Sequence, residues 1–414
     1  MKMNILIFGG SGKIGTAVAW DLVKVIDVGV VGLVGRREAA LERTKTWIDS
    51  PKIRTHILDV ADTQAVKSLM HQYDVGVIAL PDRKTSYSVI ETAIESGLNI
   101  VDVLEEYHRH PDPYEVEGLE TPDGMALTDY GEWLHEQAVE RDITILDGMG
   151  FAPGISNITL GEGIRILDQA ESAIARVGGI PSRESAAQHP LKYMITWAFE
   201  HVLREYVVKL KVIKNGKIVE MNATSDLEPF RFTRFGQDEA LECAITPGMP
   251  SFIYTRPFLN EFAEKTIRWP GHWQGIETLK ECGLLDLQCV DINGARIAPR
   301  RFLLALIEPK LQPRPSDTDV CVMWNTATGM KAGRKTRLNY YLWDEADTHT
   351  GLSAMARVTG FSAAIGALFI GRSMVTTKGI VPPEDCIQDA LYKAFIDELD
   401  ERGIKVVEVL EIVD

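Results

Sequence analysis

The chain has 414 residues, of which 45% are hydrophobic and 25% charged, with 19 prolines; this is a globular composition with length for two or three domains, and it excludes collagen-like, mucin-like and wholly disordered chains. Lys and Arg total 44 against 59 Asp and Glu, a net charge of -15. So acidic a balance argues against phosphate-backbone binding and against docking on anionic lipid, so neither a nucleic-acid nor a membrane partner is expected.

The first 150 residues alternate short β-branched runs with longer amphipathic stretches, the rhythm of βαβ units. Strands are expected at Asn4 to Phe8, Val28 to Val34, Ile53 to Leu58, Val75 to Leu80, Ile100 to Val103 and Thr144 to Leu146. Glu105 to Asp123, rich in acid, His and Pro, breaks the rhythm and reads as an insertion after the fifth strand, either a solvated excursion or a lid. From about Phe151 the runs alternate with polar residues: Ala173 to Gly178, Val207 to Lys214 and Arg300 to Glu308 read as strands, and Asn215-Gly216 as a hairpin turn. This predicts a mixed or antiparallel sheet with one face buried and the other free to pair with a second subunit. The apolar stretch between Arg357 and Arg372 falls short of the roughly 20 residues that span a bilayer and reads as a buried helix. An amphipathic helix over Glu384 to Arg402 and a strand at Val406 to Leu410 follow.

The expected architecture is therefore α/β: a doubly wound parallel sheet of the Rossmann type over residues 1–150, a second α+β domain with a mixed sheet over 151–350, and C-terminal helices over 351–414 that pack back on the first domain. Five cysteines without a CxxC pair signal neither a disulfide framework nor a thiolate metal site, so no metal is expected. With no export signal in the opening residues, a reducing cytoplasm is the expected setting.

Gly10-Ser11-Gly12-Lys13-Ile14-Gly15 is a GxGxxG directly after an apolar strand and at the head of a helix expected over Thr16 to Val25. There Gly10 permits the turn, Gly12 lets a pyrophosphate approach the backbone, and Gly15 lets helix and strand pack, while unpaired amides bind the anion. An acid about 20 residues on would select NAD. Gly35, Arg36 and Arg37 stand there instead, which favours NADP(H) through guanidinium contacts to a 2'-phosphate; if Arg36 only stacks on adenine, NAD(H) is accepted as well. Asp59 and Val60 close the third strand, where Asp59 either accepts from the adenine amino group or caps a turn. Ala79, Leu80 and Pro81 end the fourth strand beside the expected nicotinamide ribose, and Asp102 ends the fifth. In Leu146-Asp147-Gly148-Met149-Gly150-Phe151-Ala152-Pro153-Gly154-Ile155-Ser156-Asn157 a strand enters glycine-rich turns and Pro153 opens a helix, which would bring Phe151 and Asn157 to the cofactor.

That stretch resembles the saccharopine dehydrogenase superfamily, and within it the L-lysine 6-dehydrogenases. The likeness extends to Gly178-Gly179-Ile180-Pro181, Tyr193-Met194-Ile195-Thr196-Trp197, VIKNGKIVE, Arg268-Trp269-Pro270-Gly271-His272, Arg357-Val358-Thr359-Gly360-Phe361 and Gly379-Ile380-Val381-Pro382-Pro383. The resemblance implies NAD(P)-dependent oxidation of an amine on a lysine-like amino acid, giving a semialdehyde and ammonia. Together with the free sheet face, the likeness also implies a homodimer. An ammonium cannot release hydride until its lone pair is freed, so a base is required; Asp102, Asp147 and His272 are the candidates. Arg268 suits a substrate carboxylate, or else a surface ion pair. Tyr193 and Trp197, four apart and on one face if helical, either wall the pocket or pack in the core, and Thr359 is a further candidate substrate contact in a motif that suggests packing against the nucleotide domain. Two other functions stay open: a secondary-amine reductase of the saccharopine or carboxynorspermidine type, which needs more basic residues, with Arg231, Arg234 and Arg256 as candidates; and an NADPH-binding redox sensor without turnover.

Overall fold

The computed structural model describes residues 2–112, 119, 121–197 and 199–413. Part of the expected insertion, 113–118 and 120, lies outside them. The chain divides into two compact units: residues 1–162, 249–255 and 356–404 form one, and 163–248, 256–355 and 405–414 the other.

In the first unit the β-branched runs fold as β1 (Met3–Phe8), β2 (Val28–Gly35), β3 (Ile53–Ile57), β4 (Val75–Ile78), β5 (Asn99–Asp102) and β6 (Thr144–Leu146). Strand Gly379–Val381, from far along the chain, adds a seventh position beside β6. All neighbours pair in parallel, and β1 lies between β4 and β2. Burial on both faces explains why β4 reads as an unbroken apolar run. Helices α1 (Lys13–Leu22), α2 (Glu38–Ile48), α3 (Thr63–Met70), α4 (Arg83–Ser96) and α5 (Leu127–Glu140) connect them. Asp62 and Asp82 accept from the third residue beyond each, Ala65 N and Thr85 N, and so start α3 and α4.

The apolar stretch before Arg372 is a helix, Ala354–Gly371, the one described helix long and apolar enough to cross a membrane, and 83% of it is buried inside the protein. Its small residues allow close packing. A methyl on Gly360 would stand 2.7 Å from Ala17 Cβ on α1, and Trp20 stacks on Phe361 with centroids 5.7 Å apart.

The second unit holds a mixed nine-stranded sheet. Its centre is β7 (Gln169–Pro181), and a hairpin follows, β8 (Lys209–Lys214) and β9 (Lys217–Asn222), whose turn is Asn215-Gly216 with φ of 51° and 69°. Positive φ at both central turn residues is what Asn-Gly supplies. Next come β10 (Glu228–Phe232), β11 (Glu239–Ile245) and β12 (Glu261–Arg268), then, after a small separate ribbon formed by β13 (Val290–Ile292) and β14 (Ala295–Ile297), β15 (Asp319–Lys331) and β16 (Arg334–Glu345). β12 pairs with β7 in parallel; the other pairs are antiparallel. The final strand, Val406–Ile412, pairs with β16, so the tail of the chain returns to this sheet and not to the nucleotide domain expected for all of 351–414.

Arg300 to Glu308 corrects a strand expectation. It lies in a helix, Pro299–Leu311, because Arg300, Leu303, Leu304, Ile307 and Leu311 recur at helical spacing and turn one apolar face inward, with Pro299 in the first turn.

Candidate functional site

The turn after β1 is shaped by what glycine lacks. Gly9 has φ of +80°, and the amides of Gly9 and Gly10 both donate to Val34 O at 3.1 Å, tying the turn to β2. A methyl on Gly10 would stand 2.8 Å from Leu33 Cα, and one on Gly15 would stand 2.4 Å from Gly9 O. One on Gly12 would meet only Gly9 O, at 3.2 Å. Gly12 and Lys13 are exposed and Ser11 and Ile14 half-buried. Gly12 caps α1 with no side-chain partner, so the first amides of the helix face outward as an anion site. This cradle fits a dinucleotide pyrophosphate.

The structure brings the other nucleotide candidates to the same carboxyl edge of the sheet. Arg36 and Arg37 are exposed at the end of β2, and neither guanidinium has an ion pair or hydrogen bond among the described residues. Ala79 and Leu80 lie beside Gly9, with Ala79 N donating to Phe8 O at 2.9 Å, and Pro81 is exposed. Val60 is half-buried, and Asp59 is exposed and caps its own turn through Ala61 N at 3.1 Å.

Phe151 and Asn157 follow β6 in the glycine-rich turns and the helix after them. Both are buried, and Asn157 donates to Ser251 Oγ at 3.1 Å and to Glu384 Oε2 at 2.9 Å while accepting from Gly154 N. Its polar atoms are spent on bracing the glycine turn, which corrects the expectation that it faces the cofactor. Thr359 is also a packing residue: its Cγ2 would lie 3.0 Å from a methyl on Gly150.

At the ends of β5 and β6 the two candidate aspartates are joined by residues that the motif reading passed over. His108, inside the expected insertion, is fully buried and not solvated. Its Nδ1 is 2.7 Å from Asp147 Oδ1, and its backbone amide donates to Asp147 Oδ2 at 2.8 Å. Its Nε2 is 2.9 Å from Ser86 Oγ, and Ser86 hydrogen-bonds Asp102 Oδ2. Leu104 N donates to Asp102 Oδ1 at 2.6 Å. Burial pushes the Asp102 carboxyl up to about 6. Nothing in the spacing of Ser86 and His108 announces them, since they come from a helix and a loop 22 residues apart.

His272 is in the second unit. It is buried between Tyr206 and Trp273, with Nδ1 3.0 Å from Leu191 O and Nε2 3.2 Å from the Tyr206 hydroxyl. Burial, then the charge of Arg268, pushes it down to about 3. It is a neutral ring with both nitrogens engaged, which leaves no lone pair for a substrate ammonium and corrects its candidacy as the base.

Arg268 is no surface residue. It is buried on β12 and donates from Nε and Nη2 to Tyr206 Oη, at 3.2 and 3.1 Å, and from Nη1 to Ile267 O at 2.9 Å. No described carboxylate pairs with it. The Tyr193 ring lies 5.4 Å from the guanidinium, and the buried Tyr193 hydroxyl has no hydrogen-bond partner among the described residues. Tyr193 and Trp197 are not on a helix; both pack in the apolar cluster around Phe199 and Trp273. Two positions along β12 from Thr266 in each direction stand Arg268 and Glu264, on one strand face. Glu264 is buried, accepts from Thr246 Oγ1 at 2.8 Å, and is pushed by burial up to about 8. Among the other arginines, Arg231 is exposed and paired with Asp238, and Arg234 lies over the Tyr341 ring.

A glycine-cradled parallel sheet joined to a chain that builds a second, mixed sheet with a buried arginine defines a two-unit dinucleotide-dependent oxidoreductase. The chain belongs to the saccharopine dehydrogenase family: residues 5–146 match the saccharopine dehydrogenase NADP binding domain, and residues 150–404 the saccharopine dehydrogenase C-terminal domain. NADP(H) is accordingly the dinucleotide. The chain is similar to carboxyaminopropylagmatine dehydrogenase of Synechocystis, 21% identical over 97% of this chain and 96% of that one. It is 23% identical to the NADP(+), L-glutamate-forming saccharopine dehydrogenase of Schizosaccharomyces pombe, over 61% of this chain and 51% of the relative. In fold it matches L-Glu-forming saccharopine dehydrogenase of Saccharomyces cerevisiae with a TM-score of 0.76, 21% identity, and 99% and 100% coverage of the two chains.

Proposed function

We propose that this oxidoreductase acts on the CH–NH2 group of a lysine-like amino acid, releasing ammonia and a semialdehyde that closes into a six-membered ring. The observation that carries this reading is Arg268: a buried guanidinium whose described partners are a phenol and a peptide oxygen, next to an unpartnered Tyr193 hydroxyl. Glu205 acts on this buried cation through space without pairing with it, and a substrate carboxylate that accepts from its fork supplies the direct pair. Glu264, held in its neutral form by burial, is the acid that an arriving substrate ammonium would ionise.

Bound at the glycine turn, NADP+ supplies the hydride acceptor. The protein's task is to hold the amine neutral so that its lone pair forms the C=N bond as hydride departs, and then to admit water for hydrolysis. Asp102 and Asp147, at the carboxyl ends of β5 and β6, are buried with their oxygens already accepting from Leu104, Ser86 and His108, so they are proposed to take up the released proton through that hydrogen-bonded set and not by touching the amine. The test is to incubate the protein with NADP+ or NAD+ and a panel of amines, following reduced nicotinamide and ammonia. Lysine turnover with ammonia release is expected.

A second reading, formation of a secondary amine from an aldehyde and an amino acid, is favoured by the relatives' names, carboxyaminopropylagmatine dehydrogenase and saccharopine dehydrogenase. Activity only in the reductive direction, without ammonia release, would replace the first reading with this one. We also propose a homodimer in the cytoplasm, to be checked by light scattering of the purified protein and by fractionation.

A further inference from the structure

Four side chains from four segments meet in the buried interior of the nucleotide-binding unit: Ser86 from the first turn of α4, Asp102 from β5, His108 from the segment after it, and Asp147 just past β6. Serine, histidine and aspartate in this order suggest a nucleophile, but the Ser86 hydroxyl donates to Asp102 and is held between that carboxyl and the His108 ring, so it serves as a bridge. We propose instead that the four form a proton relay in which a proton passes between His108 and Asp102 through the Ser86 hydroxyl, with His108 and Ser86 as positioning residues for the aspartates.

The hydrogen-bond inventory supports this. His108 Nε2 and Asp102 Oδ2 are 3.9 Å apart, too far for a direct bond, and Ser86 Oγ bridges them at 2.9 Å from Nε2. In one arrangement both aspartates are carboxylates and His108 is an imidazolium. Nδ1–H then donates to Asp147, Nε2–H to Ser86, and the Ser86 hydroxyl to Asp102. In the other, the Nε2–H and Oγ–H bonds have broken while new Oγ–H and Oδ2–H bonds have formed. Asp102 is now a neutral acid donating to Ser86, Ser86 donates to a neutral His108, and Nδ1–H still donates to Asp147. The number of protons is the same in both, and so is the net charge: two carboxylates and one imidazolium in the first, one carboxylate in the second.

Removing one proton from the set leaves the Ser86 hydroxyl facing two acceptors, Nε2 and Oδ2, with one hydrogen to give. One buried lone pair is then unsatisfied, so the cluster that has lost the shared proton is the form that takes one up. The surroundings are arranged to let it. Arg83 pairs with Glu106, which also accepts from Tyr87 Oη at 2.8 Å, so those charges cancel each other beside the His108 ring. Tyr130 stacks on Tyr87, burial holds the phenols of Tyr87, Tyr130 and Tyr107 protonated, and Arg109 pairs with Glu132. The backbone amides of Leu104 and His108 fix the outer oxygen of each aspartate.

The relay is a property of the protein without substrate; only its use, taking up the proton that amine oxidation sets free, rests on the proposed function. The experiment therefore needs no turnover. Histidine-selective 15N labelling follows the His108 imidazole, identified by its loss in His108→Gln, while infrared spectroscopy follows the Asp102 acid carbonyl band, identified by its loss in Asp102→Asn. In the native protein both should titrate with one common midpoint. Ser86→Ala should split them into two transitions separated by about one pH unit or more, and Ser86→Thr, which keeps the hydroxyl, should rejoin them. NADP(H) titration by fluorescence confirms that each variant is folded. Separate midpoints in the native protein, or midpoints that Ser86→Ala leaves unmoved, would overturn the relay, whatever amine the enzyme turns over.

Discussion

Arg268 donates from both Nε and Nη2 to one acceptor, the Tyr206 hydroxyl, at 3.2 and 3.1 Å. That phenol is at the same time 3.2 Å from His272 Nε2, whose Nδ1 is 3.0 Å from Leu191 O. The chain of donors therefore runs in one direction, from guanidinium to phenol to imidazole to peptide oxygen. It orients Arg268 without neutralising it.

Replacing Arg268 with Met should raise KM for the amino acid by about 10- to 100-fold, the scale of one charge-assisted hydrogen bond, with little change in NADP(H) affinity. Arg268→Lys should recover little, since an ammonium lacks the fork that spans Tyr206 and a carboxylate. Steady-state kinetics with a separate coenzyme titration reads both quantities. Equal losses in amino acid and coenzyme binding would remove Arg268 from substrate recognition.

Arg36, exposed at the end of β2 and unpaired among the described residues, should distinguish the two coenzymes. Arg36→Ala is expected to weaken NADP(H) by roughly tenfold or more and NAD(H) by much less, as loss of a contact to a 2'-phosphate requires. Fluorescence titration with each reduced coenzyme measures the ratio, and an unchanged ratio counts against the contact.

Gly15→Ala places a methyl 2.4 Å from Gly9 O, so α1 must move away from the turn. The expected result is a lower melting temperature and at least a tenfold loss of NADP(H) affinity, because the helix amides move off the pyrophosphate position. Scanning calorimetry with and without coenzyme reports both.

Glu264 carries a pH signature. Burial raises its carboxyl from 4.5 to about 8 in the folded protein, so the folded state holds the proton more tightly than the unfolded chain does. This contribution to stability is complete below about 4.5 and is lost as pH rises toward 8. Glu264→Gln, which cannot ionise, should flatten the fall across that window, by on the order of a few kcal/mol, and be the more stable protein at its alkaline end. Denaturant melts at a series of pH values test it; parallel curves for the two proteins would show that Glu264 does not titrate there.

Much of the nucleotide-binding unit was legible in the sequence because its signals are local. A strand, the three motif glycines and a helix lie between Met3 and Leu22, and their spacing alone implies a pyrophosphate cradle. The Asn215-Gly216 hairpin was legible for the same reason. Arg300 to Glu308 was not, because its run of apolar residues satisfies both periods and the inward face shows only when Leu303, Ile307 and Leu311 meet a partner. Asp102 and Asp147 were found as carboxylates at strand ends, yet their link through Ser86 and His108 is purely tertiary. His272 misled in the opposite way. Its motif is conspicuous, but what makes the ring a brace is Tyr206, 66 residues earlier, which joins the neighbouring Arg268 and Trp273 around it.

Strand Gly379–Val381 supplies the last position of the parallel sheet, hydrogen-bonded beside β6. On the ribosome, then, β6 emerges more than two hundred residues before the strand that covers it. Until translation delivers that strand, the growing nucleotide-binding unit exposes a bare sheet edge open to unwanted pairing, so its completion is tied to synthesis of nearly the entire polypeptide and chaperones have a long interval in which to act.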